Sequence, residues 1–487
     1  MVTEDYDLIV IGAGAVGENV ADRATRGGLR TVVIERDLVG GECSYWACMP
    51  SKALLRSPAA LRAATAVGGA REAITGDLDV NALLDRRDTF TSHWKDHGQV
   101  DWLESAGIDL IRGRGSIHGA RKVIVTTEDE GQFTLTAKHA VALCTGSTPL
   151  IAPIPGIASM APWTSRDLTA VTNIPESIII VGGGVVACEM ATVFAQLGSV
   201  VTVLSRSQLL DSEEPFAGEL VAESLIGMGV DLRLKTHISK LSRAADGTVH
   251  AVLENGAQIF AEQIAVATGR KPRTDDVGLD SVGLVPGDWL HVDDTMLVRD
   301  PHTGGSEFDG ESDWLYAIGD VNNRAPLTHQ GKYQARAAGD VIVARAAGLS
   351  VTAEPWSQYA ATADHQAVPQ AIFTEPEVAS VGLTAAAAKK AGYEIRVVDY
   401  EIGHVAGAAL HADNYRGTAR IVVDESRRVL LGATFVGPEV AELLHAATIA
   451  VVAEVPIERL WHAVPSYPTI SEVWLRLLEA YGRPSDW

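Results

Sequence analysis

A strand, a glycine-rich turn and a helix occur twice in this chain in the same order. Residues 6–11 form an apolar strand pattern that runs into Gly12-Ala13-Gly14-Ala15-Val16-Gly17; a helix pattern follows through Arg26, then a second strand, 29–34, ending at Glu35. The order returns with strand 177–181, the turn Gly182-Gly183-Gly184-Val185-Val186-Ala187, a helix pattern to Leu197 and strand 200–204. Gly12, Gly14 and Gly17 divide three tasks: a tight turn, close backbone approach to a pyrophosphate, and close packing of helix on strand. The helix N-terminus supplies unpaired N–H groups to the phosphates. Glu35 lies 23 residues after Gly12, where a carboxylate accepts hydrogen bonds from a ribose diol. The duplication predicts an α/β chain with two Rossmann-like dinucleotide-binding domains.

The second unit carries Gly182, Gly184 and Ala187 at the fingerprint positions, but Ser205 followed by Arg206 at the offset of Glu35. A 2′-phosphate is repelled by glutamate and matched by arginine, which favours NADPH over NADH. The alternative is a solvated Arg206, with Ser205 hydrogen-bonding a ribose. Strands 141–146 and 264–269 both end in Thr-Gly, at Thr145-Gly146 and Thr268-Gly269, and strand 315–320 ends in Gly319-Asp320. Together they read as returns to the nucleotide-binding sheets.

Just after the first unit stands Gly40-Gly41-Glu42-Cys43-Ser44-Tyr45-Trp46-Ala47-Cys48-Met49-Pro50-Ser51-Lys52. Only two other cysteines exist, Cys144 and Cys188, each alone in an apolar run. That is no disulfide scaffold, so the close pair reads as redox chemistry or metal binding. A metal site needs two further ligands with matching spacing, and none is present. The net charge of −22 argues against general affinity for nucleic acid or anionic membrane. Residues 1–7 carry three acids and no base, unlike a secretory signal, and no run approaches the roughly 18 apolar residues of a membrane helix. The expected location is cytoplasmic. At about 150 residues per domain, 487 residues predict about three domains.

With these motifs in view, the chain resembles the pyridine nucleotide-disulfide oxidoreductases, the FAD flavoproteins that include dihydrolipoamide dehydrogenase and glutathione reductase. The likeness rests on both fingerprints, Glu35, the Cys43–Lys52 segment, both Thr-Gly strands and Tyr316-Ala317-Ile318-Gly319-Asp320. Residues 373–384 are similar to the start of the family's dimerisation domain. The resemblance implies an FAD domain in two parts (1–150 and 276–355), an NAD(P) domain at 151–275 and a C-terminal α+β dimerisation domain at 356–487. It implies a homodimer whose active site is completed by the partner's C-terminus.

By position in that family, Gly12, Gly14, Gly17, Glu35, Gly41, Lys52, Thr145, Gly146, Gly319 and Asp320 would bind FAD. Glu35 would hold the adenosine ribose and Asp320 the ribityl chain. Gly182, Gly184, Ala187, Ser205, Arg206 and Gly269 would bind NAD(P). Lys52 and Glu189 match a pair near flavin N5; Glu189 read alone is a surface helix acid. Cys48 would be the charge-transfer thiolate and Cys43 the interchange thiol, the two bridged across a distorted helical turn. A helix N-terminus would lower the thiol pKa.

The family's C-terminal His-Pro-Thr-x-x-Glu reads Tyr467-Pro468-Thr469-Ile470-Ser471-Glu472 here. Glutamate is kept, but the histidine that serves the interchange thiol is tyrosine, a poor base at neutral pH. Soluble transhydrogenases of the same family share Tyr-Pro-Thr. His462 stands five residues earlier, at a different helical position, and His404, His411 and His445 have no assigned place. Residues 481–487 hold no vicinal cysteines, which disfavours mercuric reductase. The leading expectation is hydride from NAD(P)H to FAD, electrons to Cys43–Cys48, then exchange with a small disulfide shaped by Tyr467 and Glu472. The alternative passes hydride from flavin directly to a quinone, a dye or a second nicotinamide nucleotide, with the cysteines inessential. A flavin-bound sensor without turnover is a third class. The acidic, glycine-rich stretch 300–313 reads as a surface insertion.

Overall fold

A computed structural model describes residues 3–129 and 131–483; residues 484–487 of the tail lie outside it. The chain forms two compact units: Met1–Pro50, Asp88–Pro149 and Arg270–His365 in one, and Ser51–Arg87, Leu150–Gly269 and Gln366–Trp487 in the other.

In the first unit, strands Asp109–Arg112, Thr31–Glu35, Thr3–Ile11 and Gly131–Leu143 lie parallel in that order. Leu315–Ala317 also pairs in parallel with Gly131–Leu143, placing Ala317 beside Leu143. The strands are apolar on both faces because both are covered. One face packs on helices Ala15–Arg26 and Thr328–Ala346 through Val10, Val20, Ala24, Ala335 and Ala338. Fully buried Trp314 anchors the other face.

The predicted surface insertion at 300–313 is tied down more than expected. It holds a short hairpin, Glu307–Phe308 with Glu311–Ser312. Phe308 is buried and its carbonyl accepts the Trp314 Nε1–H bond at 3.3 Å. Asp309 takes the Ala120 N–H at 2.9 Å.

In the second unit, Asp231–Arg233, Val200–Leu204, Ser177–Val181 and Gln263–Val266 form a parallel sheet. Helix Val185–Gln196 is buried along most of its length against it. A five-stranded antiparallel sheet, Pro369–Ile372, Glu377–Gly382, Val429–Gly437, Thr418–Asp424 and Ile395–Glu401, makes the C-terminal α+β part. Glu214, buried ahead of helix Pro215–Gly227, accepts from Arg420 at 2.8 Å and from Ala385 N at 2.7 Å, so ion pair and backbone join these two parts.

The repeated plan read in the sequence has a physical counterpart. A Cβ on Gly12 (φ +104°) would stand 2.5 Å from the Cys144 carbonyl oxygen, and one on Gly182 (φ +139°) 2.2 Å from that of Ala267. Each fingerprint turn is therefore backed by the strand end that leads into Thr-Gly, and only glycine fits. Among the described residues, no helix is long and apolar enough to cross a membrane.

Candidate functional site

The first fingerprint turn and the thiol segment are built against each other. Gly40 N–H donates to Ala13 O at 2.7 Å, and a Cβ on Gly41 would lie 2.8 Å from the Gly14 Cα. Two glycine-bearing turns touch, and the short helix Gly41–Tyr45 leaves from that contact carrying Cys43. Trp46 and Ala47 break the helix; Cys48 opens the next one, Cys48–Thr65. The pair thus spans two helices, not the single distorted turn expected. Trp46 ends the first helix with φ −136°, outside helical geometry.

Cys43 and Cys48 are free thiols, both partly buried. Their side chains are hydrogen-bonded to each other, and that bond, burial and the Cys48 charge push the Cys43 thiol up; Thr328 and Lys332 pull it down. The bond and the burial both favour a protonated Cys43. Cys48 Sγ lies 3.3 Å from the Thr328 hydroxyl. Cys48 also stands at the start of an 18-residue helix, where the macrodipole favours a thiolate. Thr328 left no local signal; it reaches the pair because it begins helix Thr328–Ala346.

The surrounding groups fit a flavin dinucleotide. Glu35 is buried, its oxygens accepting the Ala13 and Asp37 N–H groups at 2.7 Å each. Each oxygen keeps acceptor capacity for a diol. Thr145 Oγ1 and Glu18 Oε1 are buried without a hydrogen-bond partner, a condition a polar ligand relieves. Burial raises the Glu18 carboxyl to about 7 against the pull of Lys332. Asp320 follows Gly319 (φ +81°) and accepts the Ser147 hydroxyl at 2.6 Å; Arg270 donates to that same hydroxyl at 2.6 Å. Arg270 directly follows Gly269, the one hint of it in sequence. A cavity of about 1070 Å³ is lined by Arg36, Arg112, Arg114 and Phe133 among others.

Lys52 and Glu189 meet in the second unit at 2.8 and 3.0 Å. Glu189 is no surface acid: its side chain is 4% exposed, against 36% for Lys52. It also accepts the Phe373 N–H at 3.0 Å, and the Lys52 ammonium stands 5.0 Å from the Phe373 ring.

At the second fingerprint, a Cβ on Gly183 would meet the Ser205 hydroxyl at 2.4 Å, whereas one on Gly184 would meet nothing. Ala187 and Ser205 are buried and Arg206 is exposed. Gly269 has φ +132°. Thr236 N–H donates to Ser205 O at 2.9 Å, which brings exposed Lys235 alongside.

Tyr467 is 76% exposed and makes no hydrogen bond among the described residues. Glu472 is buried and held by Arg476, Nη2 to Oε1 at 2.6 Å, while its Oε2 has no partner. The cation beside this carboxylate is an arginine one turn on in sequence. His404, His445 and His462 are exposed. The segment lies directly on Gly407, whose Cβ would meet the Thr469 carbonyl carbon at 2.1 Å. Gly407→Ala should displace residues 467–472 and cost about 1–3 kcal/mol of stability. Thermal denaturation of the variant checks this; an unchanged Tm sinks it.

Known proteins match the whole layout. The family model for pyridine nucleotide-disulphide oxidoreductases matches residues 6–335, and that for the family's dimerisation domain residues 368–477. A dihydrolipoyl dehydrogenase of Halobacterium salinarum is 32% identical over 98% of this chain and 96% of its own. A mercuric reductase of Staphylococcus aureus is 29% identical over 96% of this chain and 81% of its own. The fold matches the Cu(II) complex of the HOCl-induced flavoprotein disulfide reductase RclA from Escherichia coli, with TM-score 0.82 and 23% identity, covering 98% of this chain and 99% of that one. The chain belongs to the pyridine nucleotide-disulphide oxidoreductases and is an FAD-dependent NAD(P)H oxidoreductase of the disulfide reductase type.

Proposed function

We propose that the enzyme takes electrons from NADPH and delivers them through the Cys43–Cys48 pair to a small disulfide. The observation that carries this reading is the pair itself: two partly buried thiols in mutual hydrogen bond, one 3.3 Å from a hydroxyl, rooted on the fingerprint turn. When bound, FAD accepts a hydride and relays two electrons to sulfur. The chain's residues do the rest. Glu35, Thr145 and Asp320 hold the dinucleotide, and the Cys48 helix stabilises one thiolate. Cys43, as thiolate, attacks one substrate sulfur, and the other sulfur leaves as a thiolate that takes up a proton. Cys48 then attacks Cys43, releasing the second substrate thiol and closing the Cys43–Cys48 disulfide. Relatives named for dihydrolipoyl groups support a small dithiol or disulfide partner. In the dimer, Tyr467 and Glu472 would face the partner's thiol pair.

Anaerobic addition of one equivalent of NADPH should generate two thiols per chain by thiol titration, with long-wavelength absorbance from a thiolate beside the flavin. Flavin bleaching with neither signal would rule the disulfide route out. One observation favours a second reading, direct reduction of a quinone or second nicotinamide: an exposed tyrosine, Tyr467, stands where the family pattern has its histidine base. The thiol count separates the two.

NADPH preference is supported by two exposed cations at the tips of adjacent strands, Arg206 and Lys235. Neither has an ion-pair partner among the described residues. Arg206→Glu should raise the NADPH KM about 10- to 100-fold, as expected for losing a charge-assisted hydrogen bond, and leave the NADH KM nearly unchanged. Unchanged preference would refute this assignment.

A further inference from the structure

A buried polar chain runs from the Gly319–Asp320 turn to the Asp364 carboxylate. Gly319 N–H donates to Gln334 Oε1 at 2.8 Å, and Asn322 Nδ2 donates to the same oxygen at 2.9 Å. The other end of that amide, Gln334 Nε2, donates to Asp364 Oδ2 at 2.8 Å. Gln330 Nε2 donates to Asp364 Oδ1 at 2.9 Å. Arg324 Nε stands 3.4 Å from Asp364, whose side chain is wholly buried. Arg324 is itself fixed by Asp294 at 2.8 Å and by the Asp293 carbonyl at 2.9 Å.

A glutamine amide has a donor end and an acceptor end of nearly equal size, so shape alone does not decide which faces Gly319. An ionised carboxylate only accepts. Asp364 therefore requires the NH₂ end, and the carbonyl end is left for Gly319 and Asn322. With the amide reversed, three donors would converge on one buried spot and the Gly319 N–H would lose its acceptor, a costly state in a buried site. Burial pushes the Asp364 carboxyl up, while Arg324 and the two amides oppose it.

We propose that Asp364 is the positioning residue for cofactor binding: it fixes the sense of the Gln334 amide and, through it, the backbone of the Gly319–Asp320 turn. The proposal rests on the reading of Asp320 as a cofactor ligand. FAD affinity of apoprotein, measured by fluorescence quenching, is the readout, with circular dichroism reporting the fold. Asp364→Asn should weaken FAD about 10- to 100-fold, the scale of one buried hydrogen bond to a charge. Asp364→Asn with Gln334→Glu moves the carboxylate one place along the chain; the new amide at position 364 then donates to a group that still accepts from Gly319. This double variant should return to within about threefold of wild type, a rescue that bulk destabilisation would not give.

Asp320→Ala is the control. If it leaves FAD affinity unchanged, the reading of Asp320 fails first. If Asp320→Ala weakens FAD and Asp364→Asn does not, the proposal is overturned. Gln334→Met deletes the link at similar volume and is read should Asp364→Asn not fold; wild-type affinity there also overturns it. If neither of these folds but the double variant does, the polarity argument stands. If none folds while Asp320→Ala does, the network serves the fold, and the proposal falls.

Discussion

Cys43→Ser enzyme should lose disulfide turnover by at least about 10³-fold, the scale for removing a nucleophile, and keep NADPH-dependent quinone reduction. The asymmetry follows from the layout. Cys43 lies on the short helix leaving the glycine contact, and its bond to Cys48 and its burial push its thiol up. Cys48 stands at the helix start, where the macrodipole favours a thiolate, while the Thr328 hydroxyl serves both sulfurs. Loss of both activities would mean that serine disturbs the dinucleotide turn; survival of both would make the thiols inessential and leave the quinone route. The pH profile carries the same argument. A Cys43 thiol held above its usual range by its bond to Cys48 and by burial is mostly protonated at neutral pH. Disulfide turnover should therefore climb from pH 7 into the alkaline range instead of levelling off on a histidine limb near 6.5. A bell-shaped profile with that limb would identify a histidine base and remove Tyr467 from the mechanism.

Much of this site is legible in the sequence because its parts are local. A glycine turn, a strand end and a cysteine pair carry their chemistry within a few residues, so Gly12, Glu35, Cys43 and Asp320 stand out without a fold. Lys52 and Glu189 are legible only through family resemblance, since 137 positions separate them and a lone glutamate on a helix reads as solvated. Thr328, Gln334 and Asp364 could not be read at all. Their importance lies in which ends of their side chains face one another, and packing of helix Thr328–Ala346 decides that. The 300–313 stretch lies on the surface, as its composition implies, but the buried Phe308 and the short hairpin around it leave no mark in that composition. Arg476 shows the limit of motif reading. The kept Glu472 implies a histidine partner by pattern, whereas a cation one turn along the same helix takes its oxygen.

Lys52→Met should destabilise the protein by about 2–3 kcal/mol, because breaking a buried ion pair strands the remaining charge. Glu189 would be the stranded group: its side chain is 4% exposed, and among the described residues only the Phe373 N–H would still serve it. The loss falls below the roughly 3–5 kcal/mol of a fully buried pair because the Lys52 side chain is 36% exposed. Adding Glu189→Leu removes the orphan charge, and replacing both partners with apolar groups is often near neutral, so urea denaturation of the double variant should recover most of the loss. Activity should not follow stability. If Lys52 serves the flavin edge, the double variant stays slow in NADPH-dependent flavin reduction by about 10²-fold, the scale of a lost electrostatic contact at a reacting group, although it folds well. Recovery of both would reduce the pair to a packing device in the Val185–Gln196 core. Recovery of stability alone separates the two roles, because a structural pair can be replaced by carbon and a charge beside a reacting ring cannot.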